Sequence, residues 1–315
     1  MQTLYVKMSR RLAIVGLALA ATAPQMFAQF GAREGEAVIF MLTSKGGGGL
    51  TVSSPVTPNA ASVAGAFQVI DPATLPFDPS AQPGVFFPNY VLTVLHDEPD
   101  DKMQILTNLE GIPTLHHQYL ITFKLFTLVG TRREYGDPGE PIMDVPPNVF
   151  ASFFAGQDIG PNEALEREQA LVWTSTPMFP PFVPTIRGFH GPLNGPKLTG
   201  TQMLLDSATF PVEVPWRPVY KKYPSQPWKD GFDIKFIETD TTMGSTAQMI
   251  RLHVGATTPT FKIDGATHFF IVQGNVNINL AGGQTVPFPN FNYAFIPNGL
   301  SFSLSNPRIY DGPTQ

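Results

Sequence analysis

GATTPTFKIDGATHFFIVQG, residues 255–274, and FNYAFIPNGLSFSLSN, residues 291–306, decide how this chain folds. Gly255, Gly265, Gly274 and Gly299 punctuate short aromatic and β-branched runs, the composition of strands joined by tight turns. NVNINL, residues 275–280, alternates polar and apolar side chains with period two, as a strand with one buried face does. Strands are also expected at 234–237, 247–254 and 269–274. Segments this short and this closely spaced predict an antiparallel barrel or jelly roll.

Working outward, AVIFML at 37–42 is a buried-strand candidate, and further strands are expected at 90–95, 103–106 and 119–129, with an acidic turn from Asp97 to Asp101 between the first two. PNEALEREQALVW, residues 161–173, predicts one short helix. Pro161 suits its first turn, Glu163 its positive end, and Ala164, Leu165, Leu171 and Val172 one face. Residues 176–230 are dense in proline, which forbids central strands, and read as a linker anchored by Trp216 and Trp228. Residues 51–90 read as an irregular lead-in, and Gly46–Gly49 as a loop, because no phosphate-loop Lys-Ser/Thr follows. The expected division is 29–175 for an N-terminal β-rich domain, 176–230 for the linker and 231–315 for a C-terminal domain.

Residues 1–28 read as a signal peptide. Lys7, Arg10 and Arg11 precede the apolar run from Leu12 to Ala23, and Met26-Phe27-Ala28 offers a cleavage site. The apolar run is shorter than the roughly 20 residues of a membrane span. Cleavage would leave an exported protein, periplasmic or extracellular, that starts at Gln29 and has no membrane span. Loss of three positive charges takes the net charge from -5 to -8. The 25 Phe and 8 Tyr supply a core, so the chain is not disordered. An acidic balance with no basic run excludes nucleic acid as a partner. The absence of cysteine excludes disulfides, thiolate metal sites and a cysteine nucleophile.

The opening stretch resembles the cupin superfamily, whose first motif is G-x5-H-x-H-x3-E-x6-G and whose second is G-x5-P-x-G-x2-H-x3-N. Gly255, Phe261, Ile263, Thr267 and Gly274 keep the first spacing. Pro297, Gly299, Phe302 and Asn306 keep the second, with Phe291 at its leading glycine. The resemblance implies an all-β chain with a cupin-like double-stranded β-helix, a jelly-roll barrel, at its C-terminus. It also implies that the family's four metal ligands are here Phe261, Ile263, Thr267 and Phe302. Three of these offer no lone pair and one threonine cannot hold an ion, so no metal or other cofactor is expected there.

Alternation turns Phe269 and Ile271 inward with Thr267, which leaves two readings of the interior: a pocket for an apolar or aromatic small-molecule ligand, or a filled core with no ligand. His268 faces the other way. Arg251 and His253 share a face and read as a satisfied pair.

Gly111, His117, Tyr119, Phe123 and Gly130 repeat the first spacing, and Pro147-Asn148 is placed as the start of a second motif. This echo implies a second, cupin-like barrel in a bicupin-like chain. His96, Glu98, His116 and His117 are ligand types for a metal but lack diagnostic spacing, so His96, His116 and His117 stand as weak candidates. Hydrolase and nucleotide-binding motifs do not occur.

The function expected is that of an exported cupin-like protein without the family's metal, binding a small apolar or sugar-like ligand or serving a structural role. One alternative is a metal-dependent cupin-type enzyme with its site in the N-terminal domain. Another is a self-associating envelope component, suggested by the Asn and Phe residues around Phe288 to Phe295. A homodimer is a family-level implication.

Overall fold

The computed structural model describes residues 32–44, 51–52, 67–76, 90–98, 100–114, 117–118, 122–135, 142–153, 158–159, 161–175, 183–184, 208–209, 214–218, 231–240 and 244–307. AVIFMLTS, the strand Ala37–Ser44, is buried at every residue. Apolar side chains on both faces make it a central strand, covered above and below. It lies between Ser245–Leu252 and Ala266–Gln273 in a seven-stranded sheet, whose outer strands are Phe232–Asp240 and Arg217–Pro218 on one side and Tyr293–Ile296 and Gln68–Ile70 on the other. A strand expected in the N-terminal domain thus completes the C-terminal barrel.

Facing it is a five-stranded sheet ordered Thr51–Val52, Phe261–Lys262, Ser301–Ser305, Val276–Leu280 and Thr285–Phe288. Ile39, Ile250, Phe269 and Ile271 meet Phe261, Ile278, Phe302 and Leu304 between the two sheets. The opposite face of the seven-stranded sheet, with Val38, Phe40, Met249 and Phe270, packs on Phe126, Phe150, Leu171 and Trp173. These belong to a six-stranded sheet ordered Ala208–Thr209, Phe150–Phe153, Phe123–Val129, Glu168–Thr174, Asp101–Asn108 and Tyr90–Glu98. Beyond it lie two three-stranded sheets, Asp158–Ile159 with His117–Gln118 and Val183–Pro184, and Asn162–Ala164 with Arg132–Glu134 and Met143–Val145.

The two halves repeat each other element by element. Gly111 and Gly255, Phe123 and Thr267, and Gly130 and Gly274 stand 144 positions apart (111 to 255, 123 to 267, 130 to 274). All four glycines have positive φ, between 71° and 78°. His117 pairs with Ile159 as Phe261 pairs with Phe302, and Phe123 pairs with Phe153 as Thr267 pairs with Ile296. The irregularities repeat as well. The shift at Gln169/Ala170 matches that at Val38/Ile39, and the shift at Val94/His96 matches that at Phe236/Glu238. A bulge is a backbone feature that survives side-chain change, so its repetition marks a duplicated barrel. Ala37–Ser44 fills the place in the C-terminal barrel that Glu168–Thr174 fills in the N-terminal one.

One expectation needs correction. The helix predicted at 161–173 is two strands, Asn162–Ala164 and Glu168–Thr174, because Glu168, Ala170 and Val172 bury on one face while Leu171 and Trp173 bury on the other. Pro147-Asn148 lies where a second motif starts, as expected. Asn148, at φ 63°, sits before Phe150–Phe153 as Phe291, at φ 60°, sits before Tyr293–Ile296, so it occupies the leading-glycine position.

The strands expected at 37–42, 90–95, 103–106, 234–237 and 276–280 lie within observed strands, and further short strands occur in the segments read as lead-in and linker. Pro184 and Pro218 lie in edge strands, the only sheet position that spares a backbone donor. Phe288, Tyr293 and Phe295 are buried in the two cores rather than displayed for self-association. The signal segment, the glycine run 46–49, His116, Tyr119 and Trp228 lie outside the described residues.

Candidate functional site

In the C-terminal barrel, the four positions that correspond to metal ligands sit together and are packed. Phe261 and Phe302 face each other across paired strands with ring centroids 6.0 Å apart, and Phe269 meets Phe302 edge-on at 5.6 Å. Phe232 closes on Phe261 from the seven-stranded sheet at 5.5 Å. Ile263 and Ile271 belong to the same buried cluster. Thr267 spends its hydroxyl on Thr43 Oγ1 at 3.2 Å and the Gly265 carbonyl. These side chains form an apolar, aromatic interior, in which the Thr267 hydroxyl is held by its hydrogen bonds.

The N-terminal barrel has a different interior. Strand alternation turns Arg132 and Glu134 inward, where they meet Glu168 and Asn108 from the neighbouring sheet. Arg132 Nε stands 2.7 Å from Glu134 Oε1, and its Nη1 stands 3.3 Å from Glu168 Oε1. Asn108 Nδ2 donates to Glu168 Oε2 at 2.6 Å. Burial pushes the Glu134 carboxyl up, and Glu168 adds to the rise, while Arg132 and Asn162 pull the other way. In the C-terminal barrel the same register positions hold Val276, Ile278, Ala37 and Leu252. At these positions one barrel has thus placed hydrocarbon and the other two carboxylates, a guanidinium and an amide. In the same barrel Phe123 stacks on Phe153, ring centroids 4.6 Å apart.

Between the barrels lies a third polar group. His268 is buried against the six-stranded sheet, with Nδ1 2.8 Å from the Tyr293 hydroxyl and Nε2 2.8 Å from Asp101 Oδ1. Trp173 Nε1 donates to Asp101 Oδ1 at 2.6 Å, and Ser44 Oγ to Oδ2 at 2.7 Å. Burial opposes ionisation of Asp101, but the His268 charge and the donated hydrogen bonds win and hold its carboxyl down at about 2. His96 stacks on Phe295 at 3.9 Å, and its Nε2 is 4.0 Å from Asp101 Oδ2 with no hydrogen-bond partner. Burial, followed by the neighbouring His268, pushes His96 down to about 4.

His96 therefore belongs to the interface between barrels, whereas His117 is placed by its backbone in a small sheet of the N-terminal barrel. No group of three or more metal-ligating side chains converges among the described residues. Arg251 and His253 share Asp233, with Arg251 Nε at 2.9 Å and His253 Nε2 at 3.0 Å, and Arg251 and Lys235 lie over the Trp216 ring at 4.7 and 4.6 Å.

No protein-family model and no curated protein sequence matches the chain. Solved structures do. A salicylate 1,2-dioxygenase from Pseudaminobacter salicylatoxidans superposes with TM-score 0.52 at 12% identity, over 82% of this chain and 85% of that one. The chain has a cupin-superfamily fold. A cupin 2 conserved barrel domain protein from Leptotrichia buccalis gives TM-score 0.40 at 8% identity over 76% of this chain and 90% of that one. Oxalate decarboxylase of Bacillus subtilis gives 0.44 at 10%, over 80% and 74%.

Sequence reading of the cupin motifs found the C-terminal interior and missed Arg132, Glu134 and Glu168 of the N-terminal one. The signal that could have found them is the offset between the two barrels. Carried past Gly130 and Gly274, it sets Arg132 and Glu134 against the inward Val276 and Ile278.

Proposed function

We propose that this cupin is an exported two-barrel binding protein, whose C-terminal barrel is a metal-free structural half and whose N-terminal barrel holds the ligand. The observation that carries the proposal is the C-terminal motif itself. All four ligand positions are replaced, and the replacements pack on one another or, at Thr267, pair through a hydroxyl. The N-terminal interior keeps the buried polar groups that a binding site uses to orient a small molecule. Export follows from the signal-like segment at residues 1–28.

Elemental analysis of the natively purified, exported protein tests this. The expected result is no stoichiometric transition metal and a mature mass that begins at Gln29. One equivalent of metal per chain would overturn the metal-free reading, and an exported chain that retained residues 1–28 would overturn the proposed cleavage.

A further inference from the structure

Gln104 lies on the strand Asp101–Asn108, where Met103 and Ile105 face the other barrel and Leu106 packs into the N-terminal barrel's own core. Alternation therefore aims Gln104 into that barrel. The residue is 1% exposed, and its Oε1 has no hydrogen-bond partner. Gln248 repeats every part of this, since it stands at the equivalent strand position, is equally buried, turns inward beside Ile250 and has an unpartnered Oε1. Chains rarely leave a buried carbonyl oxygen unpaired, because nothing returns the hydration it has lost. This chain does so twice at one position of a duplicated barrel. A donor from outside the chain, a water or a ligand hydroxyl, would satisfy each oxygen.

What surrounds the two glutamines differs. Gln248 is flanked across the sheet by Met41, and beyond it by Phe269, which together leave an apolar setting suited to a single water. Gln104 shares its barrel with Glu134, whose Oε1 stands 2.7 Å from Arg132 Nε and whose Oε2 has no hydrogen-bond partner, and with the stacked Phe123 and Phe153. The levels of Gln104 and Asn108 lie about 13 Å apart along their strand, the reach of a hexose or disaccharide.

We propose that the interior of the N-terminal barrel binds a small neutral sugar, whose hydroxyls donate to Gln104 Oε1 and the Glu134 carboxyl while its C–H face lies on the Phe123–Phe153 pair. This inference rests on the reading of the protein as a binding protein and names the ligand class. Charge selects a neutral guest. Arg132 is shared by Glu134 at 2.7 Å and Glu168 at 3.3 Å, and burial pushes the Glu134 carboxyl up, so a charged guest would meet no free counter-ion.

Calorimetric titration of the natively purified, full-length mature protein tests the proposal, with glucose, maltose and sorbitol as probes and benzoate and putrescine as charged comparators. The expected result is saturable binding of at least one neutral probe. Gln104→Leu should weaken it roughly tenfold, the loss of one buried hydrogen bond, and Gln248→Leu should leave it unchanged. No saturable binding of any neutral probe to folded wild-type protein, preference for either charged probe, or equal affinity in Gln104→Leu would overturn it. Where Gln104→Leu does not fold, Glu134→Gln decides: it keeps the shape and replaces one acceptor oxygen with a donor, so unchanged affinity overturns the proposal. A stoichiometric metal would overturn the metal-free reading of the protein and leave this calorimetric result standing.

Discussion

At the scale of single residues, the Asp101 carboxylate couples the barrels. It accepts from Ser44 and His268 of the C-terminal barrel and from Trp173 of the N-terminal barrel, and His96 stands beside it with an unpaired nitrogen. The two titrating groups work in separate windows. His96 is pushed down from 6.5 to about 4, so its burial stabilises the fold fully above pH 6.5, and that stability is lost as pH falls toward 4. Asp101 is held down from 3.8 to about 2, so its contribution is complete above 3.8 and is lost only below that. Between pH 6.5 and 4 the free energy of unfolding should fall by up to about 1.4 kcal/mol per pH unit through His96 alone. Urea titrations at pH 7, 5.5 and 4.5 read this directly. His96→Phe preserves the stack on Phe295 and should flatten the dependence; an equally steep dependence in that variant would assign the titration to another group.

At the scale of elements, strands that alternate or that run as one apolar block, such as Ala37–Ser44, were legible in the sequence, and Glu168–Thr174, which does neither, was not. Val276–Leu280 shows its pleat as a burial pattern, whereas Glu168–Thr174 buries both faces and mimics a helix in composition. The Arg132–Glu134–Glu168 cluster was not read because Glu168 comes from a different strand than Arg132 and Glu134, brought to them by folding rather than by spacing. The motif glycines were legible, and the turns they make explain why. A Cβ on Gly130 would stand 2.4 Å from the Arg167 carbonyl oxygen, and one on Gly274 would stand 2.6 Å from that of Glu36. Both close approaches are to backbone, which cannot rotate away. Gly111, with a similar positive φ, has open space around it. Gly130→Ala and Gly274→Ala should each cost more than about 2 kcal/mol, while Gly111→Ala should cost only the left-handed backbone strain of about 1 kcal/mol. Chemical denaturation of the three variants checks the ranking, and a Gly111 effect as large as the other two would refute the steric account.

At the scale of the whole molecule, the repeat is interlocked rather than tandem. In the N-terminal barrel the strand between Asp101–Asn108 and Phe123–Val129 is Glu168–Thr174, which follows both in the chain. In the C-terminal barrel the same place is taken by Ala37–Ser44, which enters from the far end of the sequence. Residues 231–307 alone therefore lack a central strand, and two neighbours are left with unpaired backbone groups facing a gap. The face of that strand turned away from the barrel carries Val38, Phe40 and Leu42 into the contact between barrels, so the piece that closes one barrel also glues it to the other. A fragment spanning 231–307 should not acquire native near-ultraviolet circular dichroism by itself. The same fragment should gain it when a peptide spanning residues 35–44 is added, in proportion to peptide bound. A fragment that folds cooperatively without the peptide would show that Ala37–Ser44 is dispensable, and the full chain would then unfold in two steps rather than as the single cooperative unit the shared strand demands.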